Sequence, residues 1–169
     1  MFLGLTAFTW VHTILSLVAL IAGIVVVAGL LASHTLDGWT ALYLATAVAT
    51  NVTGFFFFPG TGFDAAQVVG VISSVALGLA ILGRYVFHLA GAWRWIYAVG
   101  AVVGLYFLVF VAIAQAFGKV PALHALAPTQ SEPPFAITQL VVLVIFVVVA
   151  IAAALKFHRG TAAGAVAGS

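Results

Sequence analysis

Five long apolar stretches follow one another along the chain, and the ionisable residues fall in the gaps between them or at their ends. A hydrocarbon core about 30 Å thick needs about 20 helical residues to cross it at 1.5 Å per residue, so each stretch predicts one membrane span. The predicted helices cover residues 8–32, 39–58, 65–89, 94–117 and 135–157. Ser33-His34-Thr35-Leu36-Asp37-Gly38 is a polar turn, Pro59-Gly60-Thr61-Gly62 is another with Asp64 placed to cap the next helix, and residues 118–134 hold four of the five prolines. The break at residues 90–93 is inferred from length, since one helix over 65–117 would run to about 80 Å and carry Arg84 and Arg94 into the hydrocarbon. A tight hairpin there sets both arginines, Trp93, Trp95 and Tyr97 at one interface.

Composition turns this pattern into a class. Hydrophobic residues make up 66% of the chain and charged residues 5%, against roughly a quarter charged in soluble domains. With a mean hydropathy of +1.34 the solvent for the fold is lipid, and the expectation is an all-α polytopic bundle forming one transmembrane domain over residues 1–169. The first stretch lacks a positive n-region and is too long for a signal h-region, so it reads as a retained helix. The net charge is only +2 and no basic run is present, which argues against a nucleic-acid partner. Cysteine is absent, which removes disulfides and thiolate metal sites.

Five spans place the termini on opposite sides. Arg84, Arg94, Lys156 and Arg159 share one side and Lys119 stands on the other, so the positive-inside rule predicts an outside N-terminus and a cytoplasmic C-terminus. Small residues mark helix faces that approach closely in lipid. Gly70, Ser74 and Gly78 recur every fourth residue on the third helix, open to either the bundle interior or an oligomer contact, and Gly100 and Gly104 form a G-x-x-x-G seam on the fourth. Asn51-Val52-Thr53 matches a glycosylation motif but lies inside a span.

With this topology the polar residues within the spans crowd the outer half. His12 lies near the start of the first helix, Thr50 and Asn51 past the middle of the second, Gln67 at the start of the third, Gln115 near the end of the fourth before Lys119, and Gln139 near the start of the fifth. Gln67 is seven residues from Ser74, Gln115 eleven from Gly104 and His12 four from Ser16, all close to whole turns, so these side chains point inward with the packing stripes. The candidate ligand-binding set is therefore His12, Asn51, Gln67, Gln115, Lys119 and Gln139, around a pocket open to the outside. The bland alternative is interhelical hydrogen-bond glue, worth about 0.6 kcal/mol per contact. The 118–134 loop reads as a surface cover or, alternatively, a lid.

Other chemistries find less support. The inner half offers mainly Thr46, Ser73 and Ser74 before Arg84 and His88, too little polarity through the full thickness for a channel or transporter. No nucleophile and base pair, phosphate loop or metal motif marks an enzyme. Bis-histidine haem ligation would require His12 with His124, or His88 with His34 or His158, since His12 and His88 lie at opposite ends. A haem- or quinone-binding redox protein and an accessory subunit docked through its small-residue seams remain open readings beside the ligand-binding one. A homo-oligomer is compatible with all three.

The stretches 36–42, Thr53-Gly54-Phe55, 84–97 and 119–135 resemble a family of small uncharacterised bacterial inner-membrane proteins, and the likeness spans nearly the whole chain. The resemblance implies a bacterial inner membrane and one intact module, and carries no activity with it. In that pattern a histidine often stands where this chain has Gln67, which would have joined His12 in an outer metal or haem site; Gln67 weakens that reading. The number of spans is similar to that of the tryptophan-rich sensory proteins, but the four tryptophans here lack their Trp-Pro loop pattern.

Overall fold

The computed structural model describes residues 7–57 and 65–166, with the side chains of residues 7–55 and 67–157. Among these residues the only regular structure is helical: α1 (Ala7–Leu31), α2 (Asp37–Phe57), α3 (Ala65–Ile81) continued by a π-helical stretch (Leu82–Val86), α4 (Trp93–Lys119), the short α5 (Pro121–Leu126) and α6 (Pro133–Val166). Among the described residues four stretches, Ala7–Leu31, Gln67–Val86, Trp93–Lys119 and Pro133–Phe157, are long and apolar enough to cross a membrane. The chain is a membrane helix bundle. α2 is not among the four found over the described residues.

α1 packs along α2, α2 on α3, α3 on α4 and α4 back on α1, which closes a ring of four helices; α6 lies outside the ring against α4 and α1. At one end Arg84 forms an ion pair with Asp37, and Ser33 Oγ donates to the Lys156 carbonyl at 3.0 Å, tying together the ends of α1, α2, α3 and α6. This is the Arg84 end. The opposite, Lys119 end holds the starts of α1, α3 and α6 and the last turn of α4.

The dense core lies toward the Arg84 end. All the buried residues of α1 fall between Ala19 and Leu30, and those of α4, Phe117 aside, between Tyr97 and Leu105. Backbones come this close because side chains are missing: a Cβ on Gly100 would stand 2.8 Å from the Ala76 carbonyl oxygen, and one on Gly104 2.7 Å from both Leu77 Cδ2 and Tyr43 Oη. Gly100 and Gly104 thus form the α3–α4 seam. Tyr43 and Tyr97 are fully buried, and each hydroxyl finds a partner, Tyr43 donating to the Ala101 carbonyl at 2.8 Å and Tyr97 lying 3.2 Å from Thr40 Oγ1. The apolar faces left outside, Ile14, Leu17, Ile21 and Ile24 on α1 and Leu140, Val144, Val148 and Ile151 on α6, recur at helical spacing, as lipid-facing stripes do.

Several expectations are corrected. The third helix ends its α-helical course at Ile81 rather than Leu89. After the π-helical stretch, His88 and Leu89 adopt left-handed φ of 46° and 60°, the Leu89 N–H bonds the Gly83 carbonyl, and Phe87 stacks on Trp93 at 3.9 Å, so the reversal is completed before α4 begins. Tyr97 leaves the interfacial group because it lies one turn inside α4 on its packed face, whereas Trp95 is 46% exposed. The Pro-rich loop contains α5, opened by Pro121 at a position where its missing N–H costs no hydrogen bond. The last helix, predicted over 135–157, continues to Val166. The stripe on α3 is not one seam: Gly70 faces Phe55, Ser74 accepts a hydrogen bond from Asn51, and Gly78 faces open space. The Pro59-Gly60-Thr61-Gly62 turn and Asp64 lie outside the described residues.

Candidate functional site

Toward the Lys119 end the ring opens into a cavity of about 660 Å³ between α1, α2, α3 and α4, within the 300–1,000 Å³ usual for small-molecule sites. α1 contributes Thr9, His12, Thr13 and Ser16, whose i, i+3, i+4, i+7 spacing puts them on one face. α2 adds Thr50, Asn51 and Gly54, and α3 adds Gln67, Gly70 and Ser73. On α4 the stripe that begins with Gly100 and Gly104 runs on through Leu108 and Ala112 to Gln115 and Lys119, so one helical face first packs and then lines the cavity. Leu17, Leu20, Phe55, Val69, Phe107 and Val111 complete an apolar wall.

Five of the six residues singled out in the sequence therefore meet at one cavity: His12, Asn51, Gln67, Gln115 and Lys119. Gln139 is not among its lining residues. It is buried on α6, outside the ring, and its amide donates to the Phe110 carbonyl at 3.1 Å, joining α6 to α4, while its Oε1 has no partner among the described residues.

The hydrogen bonds fix the chemistry of the wall. Thr53 Oγ1 donates its single proton to the Ala49 carbonyl at 2.7 Å, with the Thr50 carbonyl at 3.1 Å, so the 2.8 Å contact with His12 Nδ1 requires the ring to supply the proton. The imidazole thus carries hydrogen on Nδ1 and donates to Thr53. Thr13 donates to the Thr9 carbonyl and Ser16 to the His12 carbonyl, both at 2.8 Å, leaving hydroxyl lone pairs rather than protons on offer. Asn51 Nδ2 lies 3.2 Å from Ser73 Oγ and 3.1 Å from Ser74 Oγ, linking α2 to α3. The Thr50 hydroxyl is buried and has no partner among the described residues.

The loop after α4 is fixed beside the cavity without lining it. Gln130 Nε2 donates to the Ala114 carbonyl at 2.9 Å, and Glu132 accepts from the Thr129 hydroxyl and from the Thr129 and Ser131 backbone N–H groups. Desolvation would raise the Glu132 carboxyl, but these hydrogen bonds outweigh it and hold the group below its ordinary value.

Some of the wall was not singled out from sequence. Thr9 and Thr13 lie outside the predicted set because a threonine in a helix reads as neutral filler, yet their spacing with His12 and Ser16 is a usable signal. Thr53 lies outside it because it acts through His12. No family model, curated protein or solved structure matches the chain, so the functional reading rests on this geometry.

Proposed function

We propose that the chain is a five-span protein of the bacterial inner membrane, N-terminus outside and C-terminus cytoplasmic, whose cavity binds a small lipophilic or amphipathic ligand from the outer side. The observation that carries the reading is the convergence of His12, Asn51, Gln67, Gln115 and Lys119 on one cavity whose remaining wall is largely apolar. That mixture, an apolar body site with a few polar groups to orient the ligand, is what small-molecule pockets share. α2 counts as a span because it runs between the two ends of the bundle, and its 21 residues reach about 31 Å. Orientation follows from Arg84, Arg94 and Lys156 at one end against Lys119 at the other.

A reporter fused after Ser169 tests the topology: cytoplasmic activity supports it, and activity only outside removes it. The binding reading is tested with His12→Leu, Asn51→Leu and Gln115→Leu, purified gently and analysed by mass spectrometry for retained small molecules. Retention should fall in each while the protein stays folded. Unchanged retention in all three would leave the polar residues as helix glue, and a Soret band in the wild-type spectrum would replace the lipophilic ligand with haem.

A further inference from the structure

The donors that line the cavity are unevenly committed. The hydroxyl protons of Thr13 and Ser16 go to backbone carbonyls, His12 Nδ1–H goes to Thr53, and the Asn51 amide faces Ser73 and Ser74. Gln115 and Lys119 differ. Both line the cavity, both are exposed, and neither side chain makes a hydrogen bond or ion pair among the described residues. They lie four residues apart, hence on one face of the last turns of α4. Among the described lining residues none is a carboxylate, and the Lys119 ammonium is the only formal charge. A cationic ligand would meet repulsion there, and a neutral one would leave the ammonium unused.

The apolar half of the wall defines the other end of the ligand. Leu17, Leu20, Leu108 and Val111 line the α1–α4 side of the cavity, and Leu17 and Val111 are exposed. An alkyl chain can lie against these four side chains while its head stays at the Lys119 end.

Resting on the binding function proposed above, we propose that the ligand is a single-chain amphiphile with an anionic head, a carboxylate or a phosphate monoester, held by Lys119 Nζ and Gln115 Nε2 with its alkyl chain along the α1–α4 side of the cavity. A charge-assisted pair of this kind selects an anionic head over a neutral one by about tenfold or more. Lys119 also offsets the partial negative charge at the C-terminus of α4, and that structural role predicts no dependence on the ligand's head group.

The experiment measures equilibrium binding of dodecanoate, dodecyl phosphate, dodecanol and dodecyltrimethylammonium to the full chain in phosphatidylcholine nanodiscs, with protein-free nanodiscs subtracted. The expected result is tighter binding of one or both anions than of dodecanol by about tenfold, with the cation weakest. Which anion binds tighter tells a free fatty acid from a phosphorylated lipid. Lys119→Gln should erase the preference, Lys119→Arg should keep it, and Gln115→Leu should reduce it. Dodecanol binding as tightly as the anions, or a preference untouched by Lys119→Gln in a folded protein, would overturn the anionic head while leaving the cavity as the site. Ala112→Trp, which fills the cavity, separates the two ideas: it should abolish binding of every ligand, and undiminished binding would overturn the cavity itself.

Discussion

At the Arg84 end, α1 and α4 approach until a Cβ on Gly23 would stand 2.7 Å from Leu105 Cδ1; at the Lys119 end the same two helices stand on either side of a 660 Å³ cavity. The helices are continuous between the two, so the difference lies in what their shared faces carry. Glycines on the faces turned into the ring, Gly23 toward α4 and Gly100 and Gly104 toward α3, let the backbones come together in one half. In the other half the same faces carry Thr13, Ser16, Leu108, Gln115 and Lys119, which are too long or too polar to interlock. Lipid supplies no hydrophobic drive to collapse the gap, so a bundle closed by small residues at one end can keep an open site at the other.

The largest effect should come from forcing the closed half apart. Gly100→Leu places a side chain where even a Cβ lies 2.8 Å from the Ala76 carbonyl, and the variant should lose about 3 kcal/mol or fail to fold, whereas Gly78→Ala, which meets nothing within 4 Å, should melt with the wild type. Melts in mild detergent test this, and equal loss from the two would mean that the α3–α4 seam does not close the bundle. Tyr43→Phe is milder. It removes a buried hydrogen bond to the Ala101 carbonyl, which also serves the α4 helix, and should cost about 1 kcal/mol. By contrast, Ala112→Leu in the open half should change the melt little, because the space beside it is unfilled.

The smallest effect concerns the loop at the open end. Because the folded-state value of the Glu132 carboxyl lies below its ordinary 4.5, its contribution is present above that value and lost as pH falls through the folded one. The protection of the Thr129 and Ser131 amides, their exchange measured relative to the intrinsic rate at each pH, should therefore fall on acidification below pH 4.5 while that of α4 stays unchanged, and Glu132→Gln should remove the acid dependence. A loss of protection that persists in Glu132→Gln would assign it to another group.

Much of this division is written in residue spacing. The five apolar stretches and the G-x-x-x-G of Gly100 and Gly104 announce the bundle and its seam, and the outer-half bias of His12, Asn51, Gln67 and Gln115 announces where polar groups gather. What spacing does not carry is which neighbour a face meets. Gln139 shares the outer half, but α6 stands outside the ring, so it serves a helix contact. Tyr97 shares the aromatic cluster of the hairpin, but its depth is set by where α4 begins. The π-helical stretch and the left-handed His88 and Leu89 depend on the fit between α3 and α4, and no local signal at Leu82–Val86 specifies them.

The claim that the open half is a binding site is tested most directly by comparing wild-type protein with Ala112→Trp, both extracted gently from the native membrane and analysed by mass spectrometry for small molecules retained through purification. The wild type should carry a lipophilic or amphipathic molecule at near-stoichiometric amount, and Ala112→Trp should lose it while melting within a few degrees of the wild type. Equal retention by both proteins, or none by either, would contradict a binding function for the cavity and leave its polar residues as contacts between helices.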